Sequence, residues 1–338
     1  MPRRRLSERQ IERIERIQER RRQHLSERTQ AALSETDAMD EIQPREGLVV
    51  VRHGANLAVE DAAGAVYHCL ARQNIGHPVC GDRVVWQPTG PAAGVVTAVQ
   101  PRSTALSRPD YAGRSKPLAA NLTQLVVVLA PKPEPSGYLL DQYLVAAENM
   151  GVATLILGNK MDLLDPAERR AFQDAFAHYA AIGYRTAWLS LREDQDLTPA
   201  TDHLAGHTSI LVGQSGVGKS SLIQALLPDR DIQIGRLSQA TGLGRHTTSA
   251  ATCYRLPAGG HLIDSPGVRS FRLGDIPLAD LERGFRDLAP YFGNCRFANC
   301  RHDQEPGCAV KAAVDQGLVH PTRLASFQHL AAGSERHG

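Results

Sequence analysis

Two short motifs stand in an order that restricts what this chain can fold into. Asn159-Lys160-Met161-Asp162 comes first, and Gly213-Gln214-Ser215-Gly216-Val217-Gly218-Lys219-Ser220 follows about fifty residues later. Each is a known nucleotide-contacting pattern, and the usual order is the reverse. The inversion predicts a nucleotide-binding α/β domain whose chain is circularly permuted. Such a rearrangement is physically tolerable because domain termini commonly lie near one another at the surface.

The second motif matches Gly-x-x-x-x-Gly-Lys-Ser in full. It follows a strand-like apolar run, Ser209 to Val212, and precedes a helix-like one, Ser221 to Leu227, which are the flanks a phosphate loop requires. Gly213, Gly216 and Gly218 let the backbone turn closely around phosphates, with the N–H groups of Gln214, Ser215, Val217 and Ser221 available at the helix N-terminus. Lys219 is expected to reach the β- and γ-phosphates, and the Ser220 hydroxyl to bind Mg²⁺.

The first motif selects the base. Thr154 to Gly158 reads as a buried strand, so Asn159-Lys160-Met161-Asp162 leaves its carboxyl end, where ligands bind in open α/β sheets. The Asp162 carboxylate can accept from both N1–H and the 2-amino group of guanine, and adenine offers neither donor there. Lys160 would lay its methylene stem along the ring, while Asn159 braces the loop. Ser190, after the strand-like Thr186 to Leu189, is a further candidate for a backbone contact to the guanine carbonyl.

Asp264-Ser265-Pro266-Gly267 follows the apolar His261-Leu262-Ile263. It is the expected place for the Asp that holds Mg²⁺ and for the Gly whose N–H senses the γ-phosphate. Gly242 to Thr248 has the polar, glycine-rich composition of a switch loop, in which Thr247 or Thr248 would close over Mg²⁺ and the γ-phosphate; Thr248 is slightly favoured. Ras-type GTPases use a Gln after that Gly to orient the attacking water, whereas Val268 has no donor or acceptor. Slow intrinsic hydrolysis follows, with His246 either the group that orients water or an exposed loop histidine without a role. The segment after Gly267 runs within a few turns into the C-terminal region, which suggests direct transmission of nucleotide state along it.

Cys295, Cys300, His302 and Cys308 form Cys-x₄-Cys-x-His-x₅-Cys, three thiolates and one imidazole that make a closed tetrahedral set for one structural Zn²⁺. The flanking helices expected at Leu278 to Ala289 and Pro321 to Ala331 are short, so the metal should supply part of their folding free energy. Cys69, Cys80 and Cys253 read as reduced, small apolar residues. Between Gly47 and Pro109, the short β-rich runs Leu48 to Val51, Ala65 to Leu70, Arg83 to Trp86 and Gly94 to Val99 have the cadence of a small β-barrel. Only Tyr67 and Trp86 are aromatic within it, so contact with a nucleic-acid backbone through Arg52, Arg72, Arg83 and Arg102 is better supported than base stacking. A purely structural barrel is the alternative. After Pro117 the α/β alternation begins, with Leu125 to Leu129 a near-continuous apolar strand and Tyr138 to Met150 a helix.

The permuted motif order, the segment Gly244-Arg245-His246-Thr247-Thr248 and the cysteine cluster together resemble the ribosome small-subunit-dependent GTPase A family, over residues 47 to 330. The resemblance implies three domains: an oligonucleotide-binding (OB-fold) β-barrel at 45–112, an α/β circularly permuted P-loop GTPase domain at 113–275 and a small helical zinc-binding domain at 276–338, after a basic extension at 1–44. It also implies a monomeric GTP phosphohydrolase with catalytic Lys219 and Thr248. This enzyme would use Mg²⁺ with GTP and act with the small subunit and its 16S rRNA late in subunit maturation.

Net charge is only +2 in 338 residues, so any nucleic-acid surface is local. Residues 1–30 carry ten arginines against five glutamates, with Leu6, Ile11, Ile14, Ile17 and Leu25 in a roughly helical stripe. A basic arm that threads into RNA and a solvated helix or disordered tail fit this segment equally. Its glutamates argue against a transit peptide, and no apolar stretch is long enough for a signal sequence or membrane span. A cytoplasmic protein is expected.

Overall fold

A computed structural model describes residues 43–72, 75–109, 115–193, 197–231, 233, 251–265 and 276–334. Five strands, β1 (Arg45–His53), β2 (Asn56–Glu60), β3 (Val66–Ala71), β4 (Arg83–Gly90) and β5 (Ala93–Val99), close on themselves. The pairings run β1–β2, β2–β3, β3–β5, β5–β4 and β4–β1, all antiparallel except β3–β5. This is a five-stranded barrel of the oligonucleotide-binding type. Val49, Leu57, Val59, Cys69, Val84, Trp86 and Val96 fill its interior. Strand β2, between the turns at Gly54 and at Asp61–Gly64, is not among the β-rich runs that the sequence marks out. A hairpin of β6 (Ala105–Pro109) and β7 (Ser115–Ala120) leads out of the barrel.

The central domain is an α/β layer structure. Its strands are β8 (Gln124–Leu129), β9 (Ala153–Gly158), β10 (Arg185–Trp188), β11 (Thr208–Val212), β12 (Thr252–Arg255) and β13 (His261–Asp264), in the spatial order β10-β9-β8-β11-β13-β12. All neighbours are parallel except β12 and β13. All six residues of β8 are buried, as expected of a strand with parallel neighbours on both edges and helices over its faces. Because β9, β8 and β11 run parallel, the loop after β11 and the loop after β9 open at the same carboxyl edge.

Helix α1 (Gly137–Met150) starts where the Ser136 side chain accepts from Leu139 N–H and stops at Gly151, which takes a left-handed φ of 67°. Helix α2 (Pro166–Ala175) carries a full capping box between Asp165 and Glu168. Helices α3 (Ala177–Ala181), α4 (Thr198–Leu204) and α5 (Lys219–Leu226) complete the layers. The barrel joins the sheet where β1 pairs with β12 at Val51 and Thr252, and Val50, Val51 and Ala58 pack into the core of the central domain.

The C-terminal domain comprises α6 (Leu278–Gly284), α7 (Ala309–Asp315) and α8 (Pro321–Ser334). Leu281, Phe285, Leu288, Val310, Phe327 and their neighbours form a separate core that includes Val145 from α1. The first helix is shorter than the sequence suggests: Phe285 leaves helical geometry at ψ 81°, and Pro290, in a separate 3₁₀ turn at Ala289–Tyr291, has no N–H to continue it.

Candidate functional site

The loop between β11 and α5 owes its shape to its glycines. Gly213 has φ 131° and Gly218 has φ 96°, backbone that L side chains rarely adopt. Space also forbids a side chain at either position: a Cβ would stand 2.3 Å from Val128 O at Gly213 and 2.4 Å from Asn159 Nδ2 at Gly218. Val217 is buried under the loop. Lys219 opens α5 and is itself buried, and its Nζ donates to the carbonyl oxygens of Gly213 and Gln214, each at 2.7 Å. The ammonium is thus held across the loop mouth beside the helix N-terminus. Ser220 and Ser221 follow on the exposed rim, as do Ser215 and Gly216.

The loop after β9 is fastened onto this one. Asn159 N–H donates to Leu129 O at 2.9 Å, Lys160 turns the chain with φ 61°, and Asn159 Nδ2 donates to Val217 O at 2.9 Å. Lys160 Nζ donates to Gly216 O. Asn159 Oδ1 is buried with no hydrogen-bond partner among the described residues, an uncommon condition that marks a place for a donor. Ser190 has a side-chain contact of its own. Its buried hydroxyl donates to Asp162 Oδ1 at 2.7 Å and accepts from the N–H groups of Arg192 and Glu193, so it orients the carboxylate.

Asp264 ends β13 and is buried, with Oδ2 3.4 Å from Arg230 Nη2. The Arg230 guanidinium also lies over the Tyr254 ring, 5.6 Å from its centroid. Nothing local in the sequence marks Arg230, whose partner is 34 residues away. Gly267, Val268, His246, Thr247 and Thr248 lie outside the described residues.

The second cluster is in the C-terminal domain. One ligand atom from each of Cys295, Cys300, His302 and Cys308 lies within 4.8 Å of all the others. Cys295 Sγ to Cys308 Sγ is 3.9 Å, and His302 Nδ1 stands 3.5 and 3.4 Å from those two sulfurs. Metal–sulfur bonds of about 2.3 Å and metal–nitrogen bonds of about 2.0 Å give tetrahedral edges of roughly 3.8 and 3.5 Å, so the residues fit a single tetrahedral metal. Ala309 N–H donates to Cys295 Sγ and Lys311 N–H to Cys308 Sγ, outer hydrogen bonds of the kind that hold metal ligands in orientation. Burial lowers the pKa of His302, which favours the neutral imidazole a metal needs.

Two of the four barrel arginines expected to face a nucleic-acid backbone are committed elsewhere. Arg102 forks onto the fully buried Asp82 at 2.7 and 2.8 Å, and Arg52 donates to the carbonyl oxygens of Pro78 and Gly54. Each stitches a loop to the barrel; Arg83 remains exposed. Cys69, Cys80 and Cys253 are free thiols and buried. Burial pushes the Cys69 and Cys80 thiols up to about 12. Among the described residues no helix is long and apolar enough to cross a membrane.

Comparison with known proteins agrees with this geometry. The sequence model of the RsgA GTPase family matches residues 99–274. Proteins named "Small ribosomal subunit biogenesis GTPase RsgA" from Azotobacter vinelandii and Pseudomonas aeruginosa are 44% and 42% identical to this chain, and each alignment covers 98% of both proteins. The crystal structure of YjeQ from Thermotoga maritima aligns with a TM-score of 0.71 at 30% identity, covering 86% of this chain and 99% of that one. YloQ, described as a circularly permuted GTPase, aligns with a TM-score of 0.68 at 28% identity, covering 87% and 96%. The inverted order of the two loops at one sheet edge and the match along nearly the whole length lead to one conclusion: the chain belongs to the RsgA GTPase family.

Proposed function

We propose that this protein is a GTPase that binds the small (30S) ribosomal subunit and acts late in its maturation, in the cytoplasm and as a monomer. It hydrolyses GTP to GDP and phosphate at a low intrinsic rate that the subunit stimulates. The observation that carries the nucleotide part is the bond from Asn159 Nδ2 to Val217 O, which sets the base loop beside the phosphate loop. The small subunit as partner rests on the names of the relatives, and its 16S rRNA on what the resemblance of the sequence motifs implies.

In this reading the Asp162 carboxylate, oriented by Ser190, accepts from guanine N1–H and its 2-amino group, and Lys160 covers the ring face. Backbone N–H groups from Gly213 to Ser221 cradle the phosphates, and Lys219 meets the β- and γ-oxygens. Ser220, Asp264 and Thr247 or Thr248 offer the hard oxygen donors suited to Mg²⁺, which neutralises phosphate charge when bound with GTP. Thr248 and Gly267 would sense the γ-phosphate. Water attacks the γ-phosphorus, the bond to the β–γ bridging oxygen breaks, and GDP leaves. His246 orients that water in place of the side chain that Val268 lacks, and RNA of the subunit orders the loop that carries it. Cys295, Cys300, His302 and Cys308 hold one structural Zn²⁺, with no open position for chemistry.

Turnover of GTP and of ATP by the purified protein, with and without purified small subunits, tests this reading. Strong stimulation confined to GTP is expected and should disappear in His246→Ala while GTP binding persists. Tight GTP-dependent binding to the subunit without stimulated turnover would instead favour a checkpoint in which hydrolysis is incidental, a reading to which Val268 lends weight.

A further inference from the structure

The two outer domains are fastened to the central one in different ways. At the C-terminal seam Arg323, fully buried, donates to Asp141 Oδ1 on α1 and forks onto Asp287. The barrel instead holds β12 and the residue before it at three points. Cys80 Sγ donates to Ala251 O at 3.0 Å, Val51 pairs with Thr252, and the Arg255 guanidinium donates to Glu60 Oε1 on β2, through Nε at 3.1 Å and through Nη2. Near the first two points the apolar side chains of Val50, Val51 and Ala58 close the joint. At the third, a cleft of ≈ 390 Å³ lined by Glu60, Gly64, Asp229, Gln233 and Arg255 lies beside the ion pair. Arg255 is also held from the central domain. Gln233 takes the place of a neighbouring strand: its Nε2 donates to Arg255 O at 3.1 Å and its Oε1 accepts from Arg255 N–H at 3.2 Å, since a primary amide carries both a donor and an acceptor. Gln233 and Ala251 stand on either side of residues 234–250, which contain His246, Thr247 and Thr248. On its other edge β12 pairs with β13, with Thr252 opposite Asp264. One strand therefore joins the barrel to both sides of 234–250 and to Asp264.

We propose that Arg255 is a positioning residue for GTP hydrolysis: anchored by Glu60 of the barrel and by Gln233, it fixes β12, so that subunit-stimulated turnover depends on how the barrel is seated against the central domain. The proposal rests on the functional reading above. An ion pair whose arginine is half exposed adds little to stability. Its worth lies in where it holds β12, and its removal leaves the fold standing.

The test is steady-state GTP turnover by the full zinc-loaded chain over a range of small-subunit concentrations, which separates the maximal stimulated rate from the half-saturating concentration. Arg255→Met and Glu60→Gln should each lower the maximal rate at least about threefold, within reach of a small misplacement of reacting groups, with a smaller change in the half-saturating concentration. Arg255→Lys keeps a charge beside Glu60 and should retain more of the rate than Arg255→Met. The two losses should not add in the double variant, because the same contact is removed in each. Full maximal rates in both single variants, or additive losses in the double variant, would overturn the positioning role. A change confined to the half-saturating concentration would overturn it too and make the pair a docking contact only. Absence of any stimulation in the wild type would instead overturn the functional reading, and the proposal with it.

Discussion

The nucleotide pocket and the cysteine knuckle are both made of loops, yet they keep their shape by different means. The pocket is closed by its own residues: Lys219 to Gly213 and Gln214, Asn159 to Val217, and Ser190 to Asp162. Its loops spring from β9 and β11, which flank β8 as parallel strands of the central sheet. The knuckle brings three sulfurs and an imidazole within 4.8 Å of one another, with Phe297 exposed at its tip. Thiolates so close repel one another unless a cation lies between them. In the pocket the ligand is a guest in a standing frame, whereas in the knuckle a bound metal would be part of the frame.

The largest effect expected from this contrast is selective collapse. Chelation of the metal, or Cys300→Ser with Cys308→Ser, should abolish cooperative folding of the C-terminal domain and remove about one zinc per chain. GDP affinity should stay within about tenfold of its original value, a coupling of at most ~1.4 kcal/mol. Complete loss of GDP binding would break the contrast. Next in size is Arg323→Met, which strands Asp141 and Asp287 in the buried seam. Removal of one partner from a buried ion pair costs about 3–5 kcal/mol, and urea denaturation should place the loss in the C-terminal transition. Two coincident transitions, both shifted, would mean that the domains do not unfold separately. Lys219→Ala should reduce GTP affinity or turnover by at least about tenfold, or ~1.4 kcal/mol, with the zinc content unchanged. Unaltered kinetics would remove the phosphate-loop assignment.

A smaller effect follows from the seam itself. The His178 ring stacks on His320, with centroids 4.0 Å apart. Burial first, then the neighbouring His320 and Arg323 charges, lower the pKa of His178 to about 4, against a raising influence from Asp287. The neutral form is thus favoured in the folded state, and the unfolded chain binds the extra proton. Stability is complete above the usual histidine value of about 6.5 and declines as pH falls from there toward 4. The C-terminal urea midpoint should therefore drop between pH 7 and pH 5, and a flat profile would contradict the half-buried, neutral state of this ring.

The chemistry of the pocket and the knuckle is legible in the sequence because its residues sit at fixed, local spacings. A phosphate loop needs its glycines and Lys219 within one turn, and a tetrahedral metal needs Cys295, Cys300, His302 and Cys308 within one short loop. What escapes the sequence is long-range pairing. Arg323 finds Asp141 from 182 residues away, and Arg230 looks like any surface arginine until β13 brings Asp264 to it. The barrel shows the same limit. Its β-rich cadence is visible, but the parallel β3–β5 contact that closes it, and the capture of Arg102 by buried Asp82, depend on how the strands meet.

The most direct test of the account is the nucleotide preference of Asp162→Asn. An amide at that position can donate to the C2 oxygen of xanthine and cannot accept from both guanine donors. Competitive titration with GDP and XDP should show the preference moving from GDP to XDP, with Ser190 still in place beside it. Undiminished preference for GDP would contradict the assignment of Asp162 as the base-reading residue, and with it the permuted-GTPase geometry on which the account depends.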